Sequence, residues 1–172
     1  MADKTRASQA VRLTRSAMGE RLGGFIYGTI IVLAVVVAGA RAYPHGAGHI
    51  AALVAVTSVV FWLAHVYAHG LAHSVARDEH LSLAALRHIA RREGSIVEAA
   101  LPPVGALLLG AFGVISTSVA VWIALGLGLL VLVGQGIIVA HMERLGRLGT
   151  LVVVTANLGL GFVLIGLKLL SY

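Results

Sequence analysis

The sequence predicts an all-α polytopic membrane protein: five transmembrane helices with amphipathic helices at the inner surface. Three observations carry that prediction. Of 172 residues, 59% are hydrophobic and 12% charged, and mean hydropathy is +0.95, outside the range of soluble domains. Apolar runs at about 22–40, 50–72, 99–115, 119–140 and 149–170 each approach the ~20 helical residues that cross a hydrocarbon layer. The thirteen Lys and Arg residues are distributed unevenly between the loops. Lys4, Arg6, Arg12, Arg15, Arg21, Arg77, Arg87, Arg91, Arg92, Arg144 and Arg147 fall on one side, and only Arg41 and Lys168 on the other. By the positive-inside rule the N-terminus is cytoplasmic and the C-terminus outside, as in a bacterial inner-membrane protein. The formal charge of +6 is thus topogenic and gives no reason to expect nucleic acid. With no cysteine, disulfides and thiolate metal sites are excluded.

Two parts are expected: a basic segment, 1–21, and a five-helix membrane domain, 22–172. Val11, Leu13, Met18 and Leu22 among the basic residues suit an amphipathic helix held by anionic headgroups. The first span has Gly23, Gly24 and Gly28 at its inner end and no acid, a composition that favours close helix packing over chemistry. An outer turn, Arg41-Ala-Tyr-Pro-His45-Gly-Ala-Gly-His49, leads into the second span.

The second span is the informative one. His65, His69 and His73 stand at i, i+4 and i+8 in its inner half, each about 6 Å further along the axis and close to one face. Ionisable groups within apolar spans are functional hypotheses by default. Adjacent members can share an ion, and the alternative is a polar seam bonded to neighbouring helices. An inner-surface helix, about 78–94, follows and carries Asp78, Glu79, His80, His88 and Glu93 before Gly94. It is expected to hang over the mouth of the ladder.

The third span opens Glu98-Ala-Ala-Leu-Pro102-Pro103. Prolines inside a helix free backbone carbonyls that must be satisfied by protein or water, and Glu98 is the expected acidic partner of the ladder. Ser116-Thr-Ser118 turns the chain into the fourth span, and the linker His141-Met-Glu143-Arg-Leu-Gly-Arg147 joins the fourth to the fifth. Gly126, Gly128, Gly134 and Gly136, with Gly159, Gly161 and Gly166, permit close contact within the chain or across a homodimer. Gln135 and Asn157 are expected to hydrogen-bond between helices. No phosphate loop, nucleophile elbow or His-Glu-x-x-His is present, so no soluble-enzyme chemistry is indicated.

This order of pieces resembles the vacuolar iron transporter family of divalent-metal carriers. The likeness covers most of the chain in layout and is best from Glu98-Ala-Ala-Leu-Pro-Pro-Val-Gly through the Arg-Leu-Gly-Arg linker. The ligands are not matched. That family has an acid in its first span, Met and Glu in its second, and several metal-binding glutamates in its insertion, where this chain has the histidine ladder and His80, His88 and Glu93. The chain also looks like small bacterial integral membrane proteins to which no activity attaches.

The expected function is transport of a divalent transition metal, zinc or iron, for which neutral imidazole is a suitable ligand. His65, His69 and Glu98 would form the membrane-depth site, and His73, His80, His88, His141 and Glu143 would gather ions at the inner mouth. Protonation of the histidines would expel the metal and couple transport to protons. Two alternatives stay open: a histidine-metal membrane enzyme, and a non-catalytic module that contacts another protein.

Overall fold

The computed structural model describes residues 2–77 and 82–169, with side chains for 18–19, 21–75, 82–163 and 166. His80, expected among the gathering ligands, lies outside the described residues. Those described form seven helices in chain order: α1 Ala2–Ala42, α2 Ala47–Arg77, α3 Leu83–Arg92, α4 Ser95–Glu98, α5 Leu101–Ala111, α6 Thr117–Met142 and α7 Arg147–Leu169. They include no strand.

Among the described residues, three helices are long and apolar enough to cross a membrane: Arg21–Ala42 of α1, Ala47–Val75 of α2, and α6. The expected third span, 99–115, is not one straight helix. Residues Leu83–Glu98 and Leu101–Ala111 meet at a bend of 50°, so α3 to α5 supply at most a broken span. The fifth expected span corresponds to α7, whose described apolar part, Arg147–Val163, is shorter than the other three. Helix α1 runs from Ala2 through the basic stretch into the first span without interruption.

Local chemistry explains the breaks. Pro102 and Pro103 stand in the first turn of α5, where a missing N–H costs no intrahelical bond. They therefore start a helix and do not kink one, and Pro103 is fully buried against protein. At the far end of α5, Gly113 takes φ +75°, with Gly113 N–H donating to Gly110 O and Val114 N–H to Leu109 O. This glycine-terminated motif ends the helix four residues before the apolar run does. Ser82 and Ser116 cap α3 and α6, their hydroxyls accepting from Ala85 N–H at 3.1 Å and Val119 N–H at 3.3 Å.

Helix α1 is central and packs on α2, α4, α6 and α7. Its Val32, Leu33, Val36 and Val37 form one core with Ile50, Ala51 and Val54 of α2, Leu107 of α5, and Ala120, Val121, Ala124, Leu125 and Leu132 of α6. Large apolar side chains also face outward, including Tyr67, Leu130, Leu151 and Phe162. An apolar exterior on this scale is what a lipid-facing surface requires. Between such helices association depends on dispersion and close approach, so small residues decide the contacts. A Cβ at Gly28 would lie 2.9 Å from Ile96 O and 3.0 Å from Ile96 Cα, and one at Gly128 would lie 2.5 Å from Leu33 Cδ2. Gly136 and Gly161 are likewise occupied within the chain, the first by Val154 and the second by Leu129, whereas Gly126, Gly134, Gly159 and Gly166 face open space.

The contact at Gly28 gives the first prediction. Because backbone, not a flexible side chain, meets the added group, Gly28→Val should lower stability by roughly 1–3 kcal/mol. Gly126→Ala, in open space, should lower it little or not at all. Thermal unfolding of the two variants in the same detergent checks the difference, and equal midpoints would contradict the close approach.

Candidate metal-binding cleft

Helices α1, α2 and α3 enclose a cleft of about 470 Å³ lined by Gly23, Gly24, Tyr27, His65, His69, His73, Ile89, Arg92 and Glu93. Its wall on α2 arises from the four-residue spacing, which keeps the three imidazoles beside the buried Val66 and Gly70. Its wall on α1 is low because glycines occupy positions 23 and 24. A Cβ at Gly24 would meet Ser95 Oγ at 2.8 Å, so this glycine lets the start of α4 settle directly onto α1. The third wall is the C-terminal turn of α3. It is fixed to α2 by Trp62, whose Nε1–H donates to Ala90 O at 2.9 Å, and by burial of Ile89 and Ile96.

Within the cleft, His65 Nδ1 lies 3.1 Å from Phe61 O and His69 Nδ1 lies 3.1 Å from His65 O. A carbonyl only accepts, so each contact selects the tautomer with Nδ1 protonated and leaves Nε2 as the lone-pair donor. The same His69 Nδ1 is 3.4 Å from Glu93 Oε1, with Glu93 mostly covered at 14% exposure. The His65 and His69 rings are 6.1 Å apart, and Tyr27 lies 5.2 Å from the His65 ring. Imidazole with Nδ1–H directed at a carbonyl or carboxylate is the outer-shell arrangement that orients metal-ligating histidine.

The remaining expected site residues are divided. Glu98 does not face the ladder: Arg21 Nη2 donates to both its oxygens at 3.0 and 3.1 Å, an exposed pair between α1 and the end of α4. His73 lines the cleft, while His88 is exposed on α3 and is not among the lining residues. His141 is exposed with Nδ1 3.1 Å from Ile137 O, and Glu143 lines a different groove, between α1 and α6. Glu93 was visible in the sequence only as one acid of the insertion; its place against His69 depends on the fold. Among the described residues no three His, Asp or Glu side chains stand close enough to hold an ion as they are.

Of the polar groups inside the apolar runs, Asn157 bridges helices, its Nδ2 donating to Leu132 O at 3.4 Å, and Thr29 and Ser58 bond to the carbonyls one turn back. Gln135 Oε1 is buried without a protein partner, so the expected interhelical bond is seen for Asn157 and not for this atom.

The Trp62 bond ties α2 to the α3 wall. Trp62→Phe keeps the ring and removes the donor, and should cost about 1 kcal/mol. Hydrogen exchange should quicken in residues 83–93 and stay unchanged in α6; uniform quickening would contradict this local role. Compared with known protein families, characterised proteins and solved structures, the chain finds no match.

Proposed function

We propose that this chain is an integral membrane protein that binds a divalent transition metal in the α1–α2–α3 cleft and passes it across the membrane, with the N-terminus cytoplasmic. The observation that carries the metal reading is the His65–His69–Glu93 arrangement: two imidazoles with the Nδ1 tautomer selected and a covered carboxylate 3.4 Å from His69 Nδ1. The transport half of the reading rests on the resemblance in layout to the iron carriers that the sequence suggests.

In this account His65 and His69 ligate through Nε2, water completes the coordination, and Glu93 orients His69 from the outer shell. His73 is the next station, about 6 Å nearer the cytoplasmic mouth along the helix. Two protein ligands beside the Arg92 guanidinium make a weak site, which suits release. Glu98 belongs to the Arg21 clasp and has no ligand role.

Zinc titration of the purified protein, followed by flux into proteoliposomes, tests this. The His65→Ala, His69→Ala double variant should lose binding and flux together. Glu93→Gln should weaken binding by roughly 10–100-fold, the usual range for an outer-shell carboxylate, and Glu98→Gln should leave it unchanged. Undiminished binding in the double variant would overturn the assignment. It would favour the reading of the histidines as a structural seam in a protein-contact module.

A further inference from the structure

A second groove lies along a neighbouring face of α1, shares Gly23 with the cleft and is lined by none of the histidines. It has a volume of about 880 Å³ and is lined by Gly19, Leu22, Gly23 and Ile26 of α1 and by Val139, Met142, Glu143, Arg144 and Leu145 at the end of α6. Its size falls within the range of small-molecule sites. Three features show how it is built. Gly19 and Gly23, one turn apart, have nothing within 4 Å of the place a Cβ would take, so the groove exists because these side chains are missing. Leu22, Ile26, Val139, Met142 and Leu145 make its walls apolar.

The third feature is the end of α6. Arg144 has φ 53°, a left-handed conformation that side chains other than glycine adopt at a cost. Arg144 N–H donates to His141 O and Leu145 N–H to Ala140 O, which closes the helix as a Schellman motif. In a continuing helix four consecutive residues would spread around the axis by about 100° each. The reversal at Arg144 instead lets Met142, Glu143, Arg144 and Leu145 all line one groove, so that an acidic and a basic residue both border an otherwise apolar lining.

We infer that this groove binds a phospholipid with a primary-amine headgroup, drawn from the surrounding leaflet. The guanidinium of Arg144 pairs with the phosphate and the carboxylate of Glu143 accepts from the ammonium, while an acyl chain lies along α1 over Gly19 and Gly23. A purely anionic headgroup would leave Glu143 opposed to like charge. A quaternary ammonium would offer it no N–H. The inference uses none of the residues proposed to ligate the metal.

Native mass spectrometry of the detergent-solubilised protein with added phosphatidylethanolamine, phosphatidylglycerol or phosphatidylcholine tests it. Phosphatidylethanolamine should be retained roughly tenfold better than the other two, as expected for one charge-assisted hydrogen bond gained. Gly19→Leu, which fills the groove without displacing protein, should abolish retention, and Gly126→Leu, also in open space, should not. Glu143→Gln should erase the preference over phosphatidylcholine. Arg144→Gly removes the guanidinium while relieving the left-handed backbone, so weakened retention there cannot be assigned to misfolding. Equal retention of all three lipids, preference for phosphatidylglycerol, or retention unaffected by Gly19→Leu would each overturn the inference.

Discussion

The contact on which the structure depends is the direct approach of α4 to α1 at Gly24 and Gly28. With Ile96 backbone within 3.0 Å of where a Gly28 Cβ would be, no side chain separates the two elements. Between helices surrounded by lipid there is little hydrophobic gain to be had from association, and contact area at short range is what holds them. The buried, fully covered Ile96 and Ser95 show how complete that contact is. On the opposite face of α1, Gly128 of α6 receives Leu33 in the same way, so the central helix is gripped from both sides by glycine-mediated fits.

This clasp positions the chemistry. Glu93 is the C-cap of α3 and Ser95 begins α4, so fixing Ser95 against Gly24 fixes Glu93 over the cleft, where it meets His69. The Arg21–Glu98 pair closes the outer end of the same short helix. Being about half exposed on both sides, it adds at most about 1 kcal/mol and acts as an orienting contact more than a source of stability. Trp62 then ties α3 to α2 from the other side. The cleft is thus assembled by three elements that each reach the site through a separate fixed point.

Much of this was legible in the sequence, and the failures have physical reasons. The long apolar helices were readable because hydropathy and length suffice, and the Ser116-Thr-Ser118 turn does lead into α6, with Ser116 as its N-cap. A break at the start of the third span was readable from Pro102 and Pro103, but its place at residues 99–100 was not. Hydropathy registers apolar content, and neither the role of Pro102 and Pro103 as helix starters nor the early stop at Gly113 alters that content. The continuity of α1 through its basic segment escaped for the converse reason, since charge changes along it while helix propensity does not. The i, i+4, i+8 spacing puts His65, His69 and His73 along one stretch of α2, where all three line the cleft. Its carboxylate was assigned to Glu98 on depth, but depth gives only the position along the membrane normal. Whether Glu93 or Glu98 turns toward α2 depends on the azimuth set by the α3–α4 turn, which local sequence does not reveal. His141 and Glu143 share the expected inner end with the ladder, yet Glu143 lines a different groove along α1, and linear order carries no information about which face of a central helix a residue falls against.

The central claim is that His65 and His69 together ligate a metal through Nε2. X-ray absorption at the zinc K-edge, recorded on the zinc-loaded protein in lipid nanodiscs, addresses that coordination directly. The account predicts a first shell of nitrogen and oxygen at about 2.0–2.1 Å, with the outer scattering of two imidazoles that disappears in the His65→Ala, His69→Ala variant. A zinc shell without imidazole scattering, or one unchanged in that variant, would contradict it.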